Sequence, residues 1–221
     1  MRKINQIAEE LKKVFPSICL SNLQIDRLEL YLRLLEQWNQ TYNLTAVKGT
    51  QNLIAKHLSD SLVPLGLAQQ IKTALVGKGL DLGSGAGIPG LILALCLDKV
   101  EIISLDAVQK KITFQEVVKA SVKLGNFTAV HSRFEQFAQT CPDVGMFDFI
   151  VARALSSLSD LARWARLFLR SGGNLWAWKG QGWEAEWSVL LQEGDFQFVE
   201  SHPYHLSQGY GGVLLILRYQ G

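Results

Sequence analysis

The stretch Asp81-Leu-Gly83-Ser-Gly85-Ala-Gly87 carries residue types that folding alone does not call for. Alternating glycines let a backbone turn tightly and approach a ligand without Cβ obstruction. An apolar strand at 79–83 enters the turn and a helix at 90–97 leaves it, so the first helical amides face whatever the turn holds. Asp81 puts a carboxylate two residues before the first glycine. A second carboxylate, Asp106, ends the next strand 23 residues after Gly83. A carboxylate there can accept both hydroxyls of a ribose. The other reading of Asp106 is a cap for the helix that carries Lys110 and Lys111; its place at a strand end beyond a glycine loop favours the ribose. These residues suit the binding of a nucleoside-bearing ligand.

Two such ligands compete. Gly85-Ala-Gly87-Ile88-Pro89-Gly90 satisfies the G-x-G-x-x-G of dinucleotide sites. Gly83 and Ser84 come before it, however, and Pro89 stands where a dinucleotide helix would already be under way. The other pattern, D-x-G-x-G-x-G, is that of S-adenosylmethionine-dependent methyltransferases. That cofactor has a charged amine, a sulfonium and an uncharged adenosine, with no pyrophosphate. A carboxylate beside the loop suits the amine and would be awkward beside phosphate. We therefore expect S-adenosylmethionine, with Asp81, Gly83, Gly85, Gly87 and Asp106 around it. A nicotinamide oxidoreductase is the enzyme alternative, and an RNA-binding module without turnover is the non-enzyme one.

The elements that must position these residues change character along the chain. Residues 3–15 read as an amphipathic helix, with Ile4, Ile7, Ala8, Leu11, Val14 and Phe15 on one face. Ser21-Asn-Leu-Gln24 fits a capping box ahead of a longer helix through Ile25, Leu28, Leu32, Leu35 and Trp38. A third helix is expected over 51–63, with His57 and Asp60 on one face. Beyond Pro64, strands at 79–83, 100–106, 127–131, 147–152 and 174–179 alternate with helices at 90–97, 108–124, 156–170 and 183–192. Such alternation predicts an α/β fold with a parallel sheet covered on both faces. Final strands at 196–201 and 212–219 predict an antiparallel edge. Residues 1–65 are thus a helical extension packed on a main domain of 66–221.

Composition sets bounds on this reading. Hydrophobic residues make up 48% and charged residues 19%, which is globular composition. The net charge of +2 permits a nucleic-acid partner without arguing for one. The longest apolar run, Leu91–Leu97, is too short to span a bilayer. Met1–Glu10 lacks the apolar core of a signal peptide. Cys19, Cys96 and Cys141 are odd in number and far apart, which fits no disulfide framework or zinc site and suits a reducing cytoplasm. No metal, no obligate protein partner and a monomer are expected.

At a finer grain, the chain resembles the bacterial RsmG (GidB) family, methyltransferases of small-subunit ribosomal RNA. The motifs are Trp38-Asn39-x-x-Tyr42-Asn43-Leu44-Thr45, His57-Leu-Ser-Asp60-Ser61, Asp81 through Gly90, and Leu105-Asp106 followed by Lys110-Lys111. Ser132-Arg133-Phe134-Glu135, Ala152-Arg153-Ala154 and Lys179-Gly180 follow in family order. The resemblance covers roughly residues 20–180. It implies a Rossmann-like seven-stranded fold and methyl transfer from S-adenosylmethionine to N7 of a guanine in 16S ribosomal RNA, free or in the small subunit. Carried over by motif, Gly83 and Ile88 contact the cofactor, Phe134 and Glu135 flank its adenine, and Arg153 borders cofactor and incoming base. One departure is clear: Gly209-Tyr-Gly-Gly212 stands where the family usually carries an Arg-His pair. Lys111 stands where Arg is frequent, which loses the bidentate fork but keeps the charge.

Guanine N7 has an in-plane lone pair and no proton, so its methylation needs alignment and no general base. Arg153 is accordingly read as a positioning group, binding cofactor carboxylate or RNA phosphate. Asn43, His57, Lys110, Lys111 and Lys179 are RNA-binding candidates. For His57 with Asp60, a buried polar pair joining the extension to the sheet is an equal reading; Asn43 is similarly divided between RNA and a helix end. Of Trp176, Trp178, Trp183 and Trp187, core packing is expected for at least two. His202-Pro-Tyr-His205 mimics a metal pair without a third ligand and is expected to be a loop.

Overall fold

A computed structural model describes residues 4–221. Met1–Lys3 lie outside the described residues, as does the expected helical start at residue 3.

The helical extension begins with α1 (Ile4–Val14) and α2 (Asn22–Tyr42). The capping box at the start of α2 forms as the spacing predicts: Ser21 Oγ accepts from Gln24 N–H, and the Gln24 side chain accepts from Ser21 N–H at 2.7 Å. Asn43 ends α2 in the left-handed conformation, at φ 48°. The helix expected over 51–63 is broken into pieces: α3 (Thr50–Leu53), a π-helical turn (Ile54–Leu58), α4 (Ser59–Ser61) and α5 (Val63–Gly66). In the π turn, Ser59 N–H reaches Ile54 C=O, five residues back, so the turn holds one residue more than an α-helix would. His57 lies in it.

Next come β1 (Gly77–Leu82), α6 (Gly90–Cys96), β2 (Val100–Asp106), α7 (Gln109–Val122) and β3 (Phe127–His131). The second half follows with α8 (Phe134–Thr140), β4 (Phe147–Arg153), α9 (Leu158–Phe168), β5 (Leu169–Lys179) and α10 (Trp183–Leu190). The chain closes with β6 (Phe196–His205) and β7 (Gly211–Tyr219). The seven strands form one sheet in the order β3-β2-β1-β4-β5-β7-β6, parallel except where β7 runs against β5 and β6.

One expectation needs correcting here. His202–His205 is not a loop: it continues β6, with Pro203 opposite Val213. β6 is the sheet's outer strand, where a proline's missing N–H costs no ladder bond. His202 pairs with Glu200 at 3.0 Å.

Strand alternation sorts the core into two layers. Phe149, Val151, Trp176 and Ile216 face one side and pack with α1, α2, α6 and α7, so the extension and the sheet share one core. Leu80, Leu82, Ile150, Ala152 and Leu175 face the other side, under α8, α9 and α10. Trp176 and Trp178 are buried in the first layer, as expected of two of the four tryptophans. Trp183 and Trp187 are half-buried against Phe198.

Candidate active site

β1 lies between β2 and β4, and the chain leaves the carboxyl ends of β1 and β4 toward opposite faces of the sheet. A crevice opens at such a switch point, and ligands of α/β sheets bind there.

The glycine loop on its edge is tied down from every side. Gly83 N–H and Ser84 N–H donate to Leu105 C=O, at 2.9 and 3.2 Å. Asp106 Oδ2 accepts from Gly85 N–H at 2.8 Å and faces Lys111 Nζ at 3.4 Å. Asp106 Oδ1 accepts from Val108 N–H at 2.8 Å. Asp106 does not cap α7, whose N-cap is Val108 without a side-chain bond; it ties the turn before the helix to the loop, and its oxygens keep further lone pairs. Gly85 has φ +58°, and a Cβ there would meet nothing within 4 Å. The loop is thus held in a left-handed conformation over open space.

Asp81 alternates with Leu80 and Leu82 along β1, so it faces the side of α6. It is fully buried. Its Oδ2 accepts from Gly90 N–H at 2.8 Å, and its Oδ1 has no partner among the described residues. Burial, reinforced by Asp106, pushes this carboxyl up to about 7, against the pull of Gly90 N–H and Arg153. The loop therefore lies between two carboxylates, one of them with an unpartnered oxygen. That donor set fits a ligand bearing an ammonium and hydroxyls, and it would repel a pyrophosphate.

Arg153 ends β4 and reaches into the π turn. Nη1 donates to Lys56 C=O at 2.8 Å and to Asp60 Oδ2 at 2.6 Å; Nη2 donates to His57 Nδ1 at 3.0 Å. An arginine can only donate, so His57 carries its proton on Nε2 and donates it to Thr45 Oγ1 at 2.7 Å. Burial and Arg153 push the His57 pKa down to about 3, so the ring stays neutral. The buried His57 and the half-buried Asp60 both bind Arg153, which thereby ties the extension to the sheet.

The other predicted residues spread around the crevice. Phe134 and Glu135 open α8, with Phe134 half-buried against Trp164 and Glu135 exposed. Ile88 is half-buried just beyond the loop. Lys110 Nζ donates to Tyr42 C=O at 2.7 Å, beside the exposed Asn43. Lys179 is turned toward the protein: it donates to Ser156 C=O at 3.0 Å and pairs with Glu186 at 2.6 Å.

The family model "rRNA small subunit methyltransferase G" (GidB) matches residues 24–209. The chain belongs to the GidB family. A GidB-family relative from Leptothrix cholodnii, the ribosomal RNA small subunit methyltransferase G, is 39% identical over 77% of this chain and 76% of its own length. The protein of the same name from Burkholderia thailandensis is 41% identical over 74% of this chain and 70% of its own. Among solved structures, the O-methyltransferase TomG from Streptomyces achromogenes in complex with SAM superposes with a TM-score of 0.61, over 100% of both chains at 13% identity. A putative O-methyltransferase from Klebsiella pneumoniae gives a TM-score of 0.57 at 13% identity, over 86% of this chain and 90% of its own. The fold is that of the class I S-adenosylmethionine-dependent methyltransferases, as expected.

Two residues that hold the loop of this GidB-family chain escaped the sequence reading. Tyr31 of α2 is fully buried and donates to Ala86 C=O at 3.0 Å. Gln115 of α7 is also fully buried; its amide donates to Ser84 Oγ (2.9 Å) and Gly85 C=O (2.8 Å) and accepts from Ser104 Oγ (2.5 Å). The available signal for Gln115 is a polar residue in register with Ile112 and Val118 on a buried stripe. Gln115→Leu keeps the shape but strands three polar groups, which is expected to cost roughly 2–4 kcal/mol. Thermal unfolding should then fall by about 5–15 °C. An unchanged midpoint would show that the loop does not depend on this bracing.

Proposed function

We propose that this chain transfers the methyl group of S-adenosylmethionine to N7 of a guanine in small-subunit ribosomal RNA. The observation that carries the reading is the open cradle at Gly85 between Asp81 and Asp106, in a chain matching the GidB model over most of its length. Bound there, the cofactor supplies an electrophilic methyl group on its sulfonium. Asp81 and Asp106 would hold its amine and ribose, Gly83, Gly85, Gly87 and Ile88 would line the loop, and Phe134 and Glu135 would flank its adenine. Arg153 would orient cofactor carboxylate or RNA phosphate.

The neutral His57 supports chemistry without a general base, because Arg153 occupies its one free lone pair. For the RNA side, exposure supports Asn43 and Lys110; Lys111 pairs with Asp106, and His57 and Lys179 have protein partners, so they would act through these. The target base must be unpaired or splayed out, since N7 lies in the deep major groove of A-form RNA. Residues 1–65 would serve as an extension packed on the methyltransferase domain 66–221 through the core they share. No described helix is long and apolar enough to cross a membrane; a cytoplasmic location goes with this substrate.

The test is incubation with methyl-labelled S-adenosylmethionine and small-subunit RNA or subunits lacking the modification, followed by mapping of the labelled base. One labelled guanine, cleavable as its N7-methyl form, is expected. Failure to bind either S-adenosylmethionine or its demethylated product would end the proposal, as would preferential binding of a nicotinamide dinucleotide. Binding without transfer would leave an RNA-binding module.

A further inference from the structure

The hydrogen bonds that fix Arg153 continue past Asp60 to the far hairpin of the sheet. Asp60 Oδ2 holds Arg153, and Asp60 Oδ1 accepts from the Tyr204 hydroxyl at 2.5 Å. Asp60 C=O accepts from Trp178 Nε1 at 2.7 Å. Tyr204 belongs to β6, 144 residues from Asp60, and is 6% exposed. It stands directly opposite Gly212 of β7. A Cβ on Gly212 would lie 2.9 Å from the Tyr204 hydroxyl and 2.7 Å from Lys179 C=O. The glycine therefore leaves the space through which the phenol crosses the neighbouring strand.

Arg153 has five N–H donors, and three are taken by Lys56 C=O, Asp60 and His57. Nε–H and one Nη2–H have no partner among the described residues. A guanidinium with two arms fixed and two donors left presents those donors in one orientation, which is what bidentate recognition of a carboxylate or phosphate needs. A free arginine side chain would lose rotamer entropy on every such encounter.

We infer that Tyr204 and Gly212 are positioning residues for Arg153: the side-chain-free Gly212 lets the Tyr204 hydroxyl reach Asp60, and Asp60 with His57 aims the guanidinium at its ligand. Only the identity of that ligand rests on the function proposed above.

The test uses the full chain and two variants, Tyr204→Phe and Gly212→Ala. The Arg153 Nη1–H that donates to Asp60 Oδ2 gives a side-chain NMR cross-peak at low temperature, assigned by its loss in Arg153→Lys. Its exchange with water is expected to speed up roughly tenfold in both variants, in step with the loss of a hydrogen bond to a charged group. The backbone amide spectrum far from the site stays unchanged. Affinity for S-adenosylmethionine or for RNA should fall about tenfold in Tyr204→Phe, and less than twofold when the change is made in Arg153→Lys, because coupled residues are not additive. Unaltered exchange of that Nη1–H in Tyr204→Phe would overturn the inference, as would an equal loss of affinity in both backgrounds. The NMR arm needs neither cofactor nor RNA. A chain with the expected exchange but no methyl transfer would leave this inference standing and defeat the function proposed above.

Discussion

Gly85→Ala is expected to weaken S-adenosylmethionine binding by at least about 100-fold while the protein stays folded. The residue sits at φ +58° with nothing within 4 Å of the position a Cβ would take. Placing an L residue in that conformation costs roughly 1–2 kcal/mol, which in a chain of this size lowers the melting temperature by only a few degrees. The added methyl occupies the space over the loop, so the larger loss falls on the ligand. Gly194→Ala is the matching control: it too has positive φ, +81°, and open space, but lies before β6, outside the crevice. Calorimetric titration of both variants decides. Equal affinities would mean that the open space at Gly85 is not where the cofactor binds.

Asp81→Asn separates charge from hydrogen bonding at the second carboxylate. Burial lifts the Asp81 pKa from an ordinary 3.8 to about 7. The folded chain therefore holds this proton more tightly than the unfolded chain does. The stabilisation is complete below pH 4 and is lost as pH rises to about 7, by about 4 kcal/mol in all. Asparagine keeps an acceptor for Gly90 N–H and removes that slope. Above pH 7 the variant is expected to be the more stable chain without cofactor, by a few kcal/mol in denaturant unfolding. Affinity should move the other way. An ammonium brought to the unpartnered Oδ1 favours the ionised carboxylate, so the parent chain should release a proton on binding near pH 6 and bind more tightly toward pH 7.5. The variant should show neither effect, and a weaker affinity by about 100-fold. A pH-independent affinity in the parent chain would remove Asp81 from the amine's site. Asp81→Ala is the poorer probe, since it would also strand the buried Gly90 N–H.

Alternation and capping are local, and the elements they specify form close to the expected residues. β2 and β3 match the expected spans, and the Ser21–Gln24 box is present. The misses have physical reasons. Pro203 reads as a strand breaker until the sheet order makes β6 an outer strand. The π turn leaves no mark in a three-and-four spacing, because its extra residue shifts the register only once. At the site, Asp81 and the glycines stand out because they are nearly consecutive, and Asp106 because it ends the next strand. The partners of Arg153 do not: Lys56, His57 and Asp60 lie more than ninety residues earlier, and only folding brings them together. Of Lys179, sequence shows only the charge, because the Glu186 that pairs with it is one acidic residue among many.

The contacts of α2 with the rest of the protein bear on how the chain is made. Ile25, Leu28, Tyr31, Leu32 and Leu35 are buried in the finished protein. On the same helix Tyr31 donates to Ala86 C=O and Gln24 to Cys96 C=O, 55 and 72 residues further on. A ribosome adds about 5–20 residues per second, so this apolar face waits several seconds for α6 and longer for α7. During synthesis it is an unpaired hydrophobic stripe, the kind of surface that draws chaperones or other nascent chains. Destabilising changes in α6 or α7 should therefore reduce the yield of soluble protein in cells more than they lower the stability of the chains that do fold.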